Sequence, residues 1–130
     1  PGAIERAVTG ISTKVLNAID CEPLTYDHAS FAKAGSSLGS GGMIVIAEGT
    51  CMVRLLQAML RFYHHESCGQ CTPCRVGTDK AVALMEAPRW DQPLLGELAR
   101  AMEDASICGL GQAAPNPLRC AMRYFPQEFE

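Results

Sequence analysis

The chain has 130 residues, 48% of them hydrophobic and 19% charged, with a formal net charge of −3 at pH 7. This length suits one domain, or one small domain with part of another, and the apolar content is sufficient for a packed core. The weak negative charge, without any run of Lys or Arg, excludes a typical nucleic-acid surface, and no apolar stretch reaches the roughly 18 residues of a membrane span.

The seven cysteines indicate a reducing environment. An odd number leaves at least one thiol outside any disulfide framework, and no signal peptide is recognised. The sequence therefore favours a cytoplasmic location and metal ligation over disulfides. The chain begins at Pro1 without a methionine, so we expect a fragment of a longer polypeptide.

Residues 1–49 are predicted to combine short strands with one short helix. Apolar residues spread among Gly, Ser and Thr predict strands at 6–9 and 14–16, and the β-branched run at 43–47 predicts a third. Asp27 is a suitable N-cap for a short helix.

A glycine-rich stretch at 35–42 precedes the third predicted strand. A phosphate-binding loop lies between a strand and a helix, so that the helix N-terminus faces the phosphate. This loop is instead followed by a strand, and no Gly-Lys-Ser/Thr occurs. Tight turns are therefore favoured over a phosphate site.

A long helix is predicted from Thr50, as N-cap, to about His65. Its apolar face is wide, with members three or four residues apart: Val53, Leu56, Leu60 and Tyr63, broadened by Met52, Leu55, Met59 and Phe62. So broad a face predicts neighbours on more than one side, as in a helical bundle. Cys51 is expected to be buried in the first turn. His64 and His65 point about 100° apart, so we expect surface residues rather than a shared metal site.

Three thiols follow in the run Cys68-Gly69-Gln70-Cys71-Thr72-Pro73-Cys74-Arg75. The C-x2-C-x2-C spacing begins the ligand run of a [4Fe-4S] cluster, and it differs from the two separated pairs of a zinc ribbon. Thr72 as N-cap and Pro73 as first helical residue predict a helix start, whose N-terminus favours a negative cluster. Arg75 is expected either to raise the reduction potential or to pair with a nearby acid.

The helix that starts at Thr72 and one further helix are predicted before Cys108, and a last helix is predicted after it. The first runs to near Pro88, and the second follows Asp91 as N-cap. Residues 107–112 are predicted to form a loop. Pro117 opens the last helix, whose inward residues are expected to be Leu118, Met122 and Phe125.

A fourth ligand must come from one of four remaining cysteines: Cys21, Cys51, Cys108 and Cys120. Cys108 precedes Gly109-Leu110-Gly111, and glycine permits the close backbone approach that N–H···S hydrogen bonds require. Cys120 lies in a predicted helix, where a thiol on an apolar face is more often a packing residue. Cys108 is therefore favoured, Cys120 remains the alternative ligand, and packing roles are expected for Cys21 and Cys51.

The pattern Glu66-Ser67-Cys68-Gly69-x-Cys71-x-Pro73-Cys74-Arg75, with the later Cys108-x-Leu110, resembles the C-terminal iron–sulfur domain of the NADH-oxidising flavoprotein subunits. That family includes flavin subunits of respiratory complex I, of NAD-reducing hydrogenases (the diaphorase subunit) and of NAD-dependent formate dehydrogenases. Leu24-Thr25-Tyr26-Asp27 and residues 34–45 resemble the segment that precedes this domain. Residues 108–117 are most similar to the formate dehydrogenase and hydrogenase branches.

The resemblance implies an α+β fragment with two parts. Residues 1–49 would be the C-terminal part of a β-grasp-like (soluble ligand-binding) domain, and residues 50–130 a mostly α four-helix bundle. The bundle would carry one [4Fe-4S] cluster. The ligands implied are Cys68, Cys71, Cys74 and Cys108.

The resemblance also implies an electron relay in an oxidoreductase. FMN and NAD(H) would be held by an upstream part, and single electrons would pass between FMN and iron–sulfur clusters of partner subunits. Gly109 and Leu110 would lie near the flavin. This fragment alone would not turn over, and neither nucleic acid nor a membrane span is expected.

Two other interpretations stay open at this point. A four-cysteine zinc module for subunit contacts would also use four thiolates. A redox or oxygen sensor would hold an exposed, labile cluster.

Overall fold

The computed structural model describes residues 4–9, 14–17, 23–34, 36–47, 49–124 and 126. The chain divides into two compact units, Pro1–Thr50 and Cys51–Glu130. Cys21 and Phe125, for which packing roles were predicted, lie outside the described residues.

The first unit contains a small antiparallel sheet and one short helix. Its elements are β1 (Ile4–Thr9), β2 (Lys14–Asn17), α1 (His28–Lys33) and β3 (Met43–Ala47). The strand order is β2-β1-β3, with Ala7 opposite both Leu16 and Val45. The three predicted strands and the predicted short helix are therefore confirmed.

Local hydrogen bonds fix the beginning of α1. The Asp27 carboxylate accepts from the Ser30 backbone N–H at 2.8 Å and from the Ser30 hydroxyl at 2.8 Å. These bonds, the backbone bond above all, lower the pKa of Asp27. The predicted N-cap is confirmed, and it directs Phe31 into a small core with Leu16 and Leu38.

The glycine-rich stretch forms turns, as predicted. Gly39 and Gly41 adopt φ angles of 53° and 86°, a region that glycine enters without strain. The Gly41 N–H donates to the Leu38 carbonyl at 2.9 Å, and the Tyr26 hydroxyl donates to the Gly41 carbonyl. A Cβ atom added at Gly41 would lie 2.9 Å from the Tyr26 hydroxyl, so this turn requires glycine.

The second unit is helical. Its helices are α2 (Met52–Glu66), α3 (Thr72–Glu86), α4 (Gln92–Ala105), α5 (Gly109–Ala113) and α6 (Asn116–Tyr124). The four longer helices contact one another in the order α2–α3–α4–α6, and α6 returns to α2. Their shared core contains the buried side chains of Leu60, Ala81, Met85, Leu95, Ala99 and Leu118.

Two polar contacts join α2 to the C-terminal end of α3. The Gln57 amide donates to the Met85 carbonyl at 2.5 Å, and Arg61 pairs with Glu86 at 2.6 Å. The Trp90 indole N–H donates to the same Met85 carbonyl at 3.0 Å. These contacts fix the α2–α3 hairpin, whose connecting loop carries the first cysteines of the motif. No helix in the described ranges combines the length and apolar character needed to cross a membrane.

Three predictions about the first turns of helices are wrong. Cys51, not Thr50, is the N-cap of α2, and Cys51 is exposed rather than buried. Cys71, not Thr72, is the N-cap of α3, and its backbone is extended at φ −102° and ψ 140°. Thr72 is the first residue of α3, and Pro73 lies in its first turn, where no intrahelical N–H donor is required.

Two further predictions are corrected by tertiary packing. Phe62 is 50% exposed, because α3 and α6 cover the face of α2 that carries Leu60, and Phe62 points away from it. Residues 109–113 form a helix rather than part of a loop, with Gln112 N–H bonded to Cys108 O at 3.2 Å. The two glycines disfavour helix locally, so the packing of this segment overrides propensity.

Candidate metal centre

All four predicted ligands line one cavity of about 260 Å³. Cys68 lies in the loop between α2 and α3, Cys71 caps α3, Cys74 lies in the first turn of α3, and Cys108 caps α5. The other lining residues are Glu66, Ser67, Gln70, Ile107 and Leu110. The structure thus brings Cys108 to the same cavity as Cys74, which lies 34 positions earlier in the sequence.

Cys120, the alternative ligand, is elsewhere. It is buried on α6, within the packed face that includes Leu118 and Ala121, and does not line the cavity. This placement agrees with the packing role expected from its position in an apolar helix face.

The four thiols differ in exposure. Cys74 is buried, Cys71 is half-buried, and Cys68 and Cys108 are exposed. The cavity therefore has a closed side formed by α3 and an open side near Cys68, Cys108 and Ile107, whose side chain is 69% exposed.

The size of the cavity bears on what the thiols can hold. Within the described residues, no three His, Cys, Asp or Glu side chains converge on the space of one metal ion. Tetrahedral zinc needs four sulfurs about 2.3 Å from one centre, whereas a polynuclear cluster occupies the larger space between spread thiolates. A space of about 260 Å³ between the thiols fits the cluster better than the single ion.

The loop from Cys68 to Cys71 is held by its own backbone and by Arg75. Gly69 has φ 73°, and its carbonyl accepts a 2.7 Å hydrogen bond from Arg75 Nη1. The guanidinium thus fixes the carbonyl of a residue that lies between two ligands. The partner observed for Arg75 is a carbonyl and not a nearby acid, which was one of its two expected roles. The other role, raising the reduction potential of a bound cluster, stays a prediction.

Backbone N–H groups converge on the Cys71 thiol. The N–H of Ile107 contributes most to lowering the pKa of Cys71, the N–H of Cys74 contributes next, and together they outweigh the effect of desolvation. Donors that favour the thiolate also favour its coordination to iron, because the metal ligand is the deprotonated form. Ile107 thus ties the loop before α5 to the start of α3.

Gly111 allows α5 to approach α3. A Cβ atom added at Gly111 would lie 2.5 Å from Ser106 Oγ and 2.9 Å from Cys74 Cβ. Only a residue without a side chain fits between these two groups. This close approach explains how Cys108, at the N-terminal end of α5, reaches the cavity lined by the earlier cysteines.

The two histidines at the end of α2 have separate partners. The Thr78 hydroxyl donates to the Cys74 carbonyl at 2.8 Å, so at 3.2 Å it accepts from His64 Nδ1–H. His65 lies 3.1 Å from the Glu66 carboxylate. Both histidines are exposed, in agreement with the expected surface positions.

Sequence reasoning missed two serines beside the predicted ligands. The Ser67 hydroxyl lies 3.3 Å from Cys74 Sγ, and Ser106 places a buried hydroxyl beside the Cys71 thiol. Their only signal in the sequence is proximity to ligands, in Ser67-Cys68 and in Ser106-Ile107-Cys108. Of the two residues expected near a flavin, Leu110 lines the cavity and Gly109 begins α5.

Comparison with known proteins finds similar sequences among subunits of oxidoreductases. An NADH-quinone oxidoreductase subunit of Rhizobium meliloti (strain 1021) is 39% identical over 99% of this chain and 32% of its own length. NADP-reducing hydrogenase subunit HndC of Solidesulfovibrio fructosivorans is 38% identical over 82% of this chain and 23% of its own length.

A solved structure shares the fold. The crystal structure of an NAD+-reducing [NiFe]-hydrogenase in the H2-reduced state matches with a TM-score of 0.79 and 32% identity, covering 99% of this chain and 23% of that chain. The mostly helical architecture with little strand is therefore one found in a hydrogenase subunit.

The chain spans about a third or less of these relatives. The family described as "NADH-ubiquinone oxidoreductase-F iron-sulfur binding region" matches residues 54–130, which contain all four cavity cysteines. The family expected from the cysteine pattern is confirmed. The chain belongs to the family of the NADH-ubiquinone oxidoreductase-F iron-sulfur binding region.

Proposed function

We propose that this chain is an electron-relay segment of an oxidoreductase subunit, in which four thiolates hold one [4Fe-4S] cluster. The proposed ligands are Cys68, Cys71, Cys74 and Cys108. The observation that carries the proposal is the single cavity that all four thiols line, although the fourth comes from a different loop.

The residues around the cavity suit a cluster with negative charge. Cys71 caps a 15-residue helix, whose free N–H groups and dipole favour negative charge at this end. The backbone N–H groups of Ile107 and Cys74 lower the pKa of Cys71, and so favour its thiolate form. The chain thus supplies fixed donors for the buried side of the cluster, and these donors need no reorganisation when its charge changes.

The open side of the cavity offers a route for electrons. A bound [4Fe-4S] cluster takes up or releases one electron at a time, and so connects a two-electron carrier with one-electron partners. Cys68 and Cys108 are exposed on this side, next to the exposed Ile107. We expect the flavin or the next cluster to lie against this side, where Leu110 lines the cavity and Gly109 begins the following helix.

The remaining parts of the proposal concern the whole protein. FMN and NAD(H) would be bound by a part outside this chain, and electrons would pass to or from iron–sulfur subunits of a multi-subunit complex in the cytoplasm. The hydrogenase and NADH-quinone oxidoreductase relatives support this assignment, and a formate dehydrogenase is the third candidate complex. The sheet of the first unit would belong to a β-grasp-like domain, and the ring of four longer helices would be the predicted bundle.

Metal and sulfide analysis of the purified chain tests the proposed cluster. We expect about four iron and four sulfide per chain, and a brown colour that bleaches on reduction. A colourless chain with one zinc would overturn the proposal and would leave the four-cysteine zinc module as the better interpretation.

A further inference from the structure

The two less exposed thiols of the cavity each have a serine hydroxyl beside them. Ser67 Oγ lies 3.3 Å from Cys74 Sγ. Ser106 Oγ and Cys74 Cβ lie 2.5 Å and 2.9 Å from the position of a Cβ atom added at Gly111, and the Ser106 hydroxyl contributes to lowering the pKa of Cys71. Cys68 and Cys108 are the exposed residues among the four cysteines that line the cavity. This pairing extends the proposed function, on which the following inference rests.

The Ser67 hydroxyl lies between two hydrogen-bond partners. The Gly69 N–H donates to Ser67 Oγ at 3.3 Å, so this oxygen already accepts one hydrogen bond. Cys74 Sγ lies 3.3 Å from the same oxygen, an ordinary distance for an O–H···S bond. Once Cys74 binds a metal as a thiolate it carries no proton, so the Ser67 hydroxyl is then the donor of this bond. Cys74 is only 5% exposed.

Hydrogen bonds to its backbone N–H and to its backbone carbonyl hold Ser106 in place. Its N–H donates to Met102 O at 3.1 Å, and its carbonyl accepts from Gln112 Nε2 at 3.1 Å. Gly111 lies so close that an added Cβ would be 2.5 Å from Ser106 Oγ. The hydroxyl is thus confined to a narrow space next to the cavity wall.

In the described part of the chain, the Ser106 hydroxyl has no partner of good hydrogen-bond geometry. A buried hydroxyl without a partner costs about 1–3 kcal/mol, and native proteins rarely retain one without a reason. The Cys71 sulfur is beside it, and this sulfur becomes a stronger acceptor when it carries negative charge. A charged ligand at Cys71 would therefore supply the missing acceptor.

Reduction of an iron–sulfur cluster adds one negative charge, which is shared with its thiolate ligands. Hydrogen-bond donors at those sulfurs stabilise the reduced form more than the oxidised form, and so raise the reduction potential. We infer that Ser67 and Ser106 are positioning donors to Cys74 and Cys71, and that together they raise the reduction potential of the bound cluster.

The test is a redox titration of the complete chain, with dithionite as the one-electron reductant and electron paramagnetic resonance as the readout. Ser67→Ala and Ser106→Ala should keep the wild-type iron and sulfide content. Each should lower the equilibrium constant for reduction by about threefold to tenfold, where tenfold corresponds to about 59 mV for one electron. The double variant should show the sum, because the two donors act on different sulfurs.

Matched variants separate this effect from general damage. Ser37→Ala removes an exposed hydroxyl from the first unit and should leave the potential unchanged. Ser67→Thr keeps a hydroxyl at a half-buried position and should stay near the wild-type potential. If the alanine variants have full clusters with wild-type potentials, the inference is overturned while the relay survives. If the wild-type chain contains no iron, the proposed function itself fails.

A second measurement decides the case in which an alanine variant loses its cluster. Brief exposure of the reduced wild-type chain to D2O exchanges hydroxyl protons before the hydrogen-bonded helix amides. Pulsed electron paramagnetic resonance should then show loss of strongly coupled protons at the cluster. An unchanged spectrum would contradict donation by the serines.

Discussion

Gly77 of helix α3 packs directly against Met102 of helix α4: a Cβ atom added at Gly77 would lie 2.5 Å from Met102 Cγ and 2.7 Å from its sulfur. Met102 is fully buried, so its side chain cannot swing into solvent. The glycine permits helices α3 and α4 to approach each other closely. These two helices form most of the chain between Cys74 and Cys108.

Gly77→Ala should therefore destabilise the chain, although alanine is the better helix former. Alanine gains about 1 kcal/mol in helix propensity, whereas overpacking costs about 1–3 kcal/mol. We expect a net fall of up to about 2 kcal/mol in the free energy of unfolding, measured by chemical denaturation. Gly96→Ala is the matched control on α4, because nothing lies within 4 Å of its added Cβ, and it should stabilise instead. Equal effects of the two substitutions would refute this packing argument.

Gly111→Ala should damage the metal centre more than the fold. The new methyl group would collide with Ser106 and with Cys74 Cβ at 2.9 Å, and so displace a ligand or the loop that carries Cys108. We expect iron per chain to fall several-fold, while the helical circular dichroism signal remains. Gly109→Ala, on the same short helix, meets nothing within 4 Å and should retain its iron. Full iron content in Gly111→Ala would show that α5 has room to move.

The ion pair between α4 and α6 should contribute to stability above acidic pH. Arg119 Nη2 lies 2.5 Å from Glu103 Oε2, and this hydrogen bond and charge lower the pKa of Glu103 below its ordinary 4.5. A carboxylate with a lower pKa in the folded state stabilises the fold above its unfolded pKa. That contribution is lost as the pH falls through the folded pKa.

Glu103→Gln should consequently lower the melting temperature at pH 7, and this effect should shrink as the pH falls below 4.5. Both side chains are partly exposed, so added salt should reduce the difference at pH 7. Glu97→Gln, an exposed residue on the same helix, is the control and should show no such dependence. A difference that grows towards acidic pH would have the wrong sign for this ion pair.

The parts of the fold that local chemistry specifies were predictable. Asp27 and Asp91 were predicted as N-caps, and each accepts a backbone N–H three residues later. The strand at 43–47 was also predicted with its observed bounds. The close spacing of Cys68, Cys71 and Cys74 limited the chemistry of the site before any tertiary structure was considered.

The parts that depend on distant packing were not predictable. The short helix α5 contains two glycines, and its position depends on the fit of Gly111 between Ser106 and Cys74. Phe62 belongs to the apolar pattern of α2, yet its exposure depends on which neighbours reach that face. The burial of the Ser106 hydroxyl follows from the same tertiary contacts and has no signature in its neighbours along the chain.

The ligand set is the central claim, and paired alanine substitutions of the two later cysteines test it most directly. Alanine is preferred to serine, because a serine oxygen still binds iron. Cys108 lines the cavity, and Cys120 is buried on α6 apart from it. The measurement is iron and sulfide per chain together with the spectrum of the reduced cluster. We predict that Cys108→Ala loses or converts the [4Fe-4S] cluster while Cys120→Ala retains it; an intact four-iron cluster in Cys108→Ala would contradict the account.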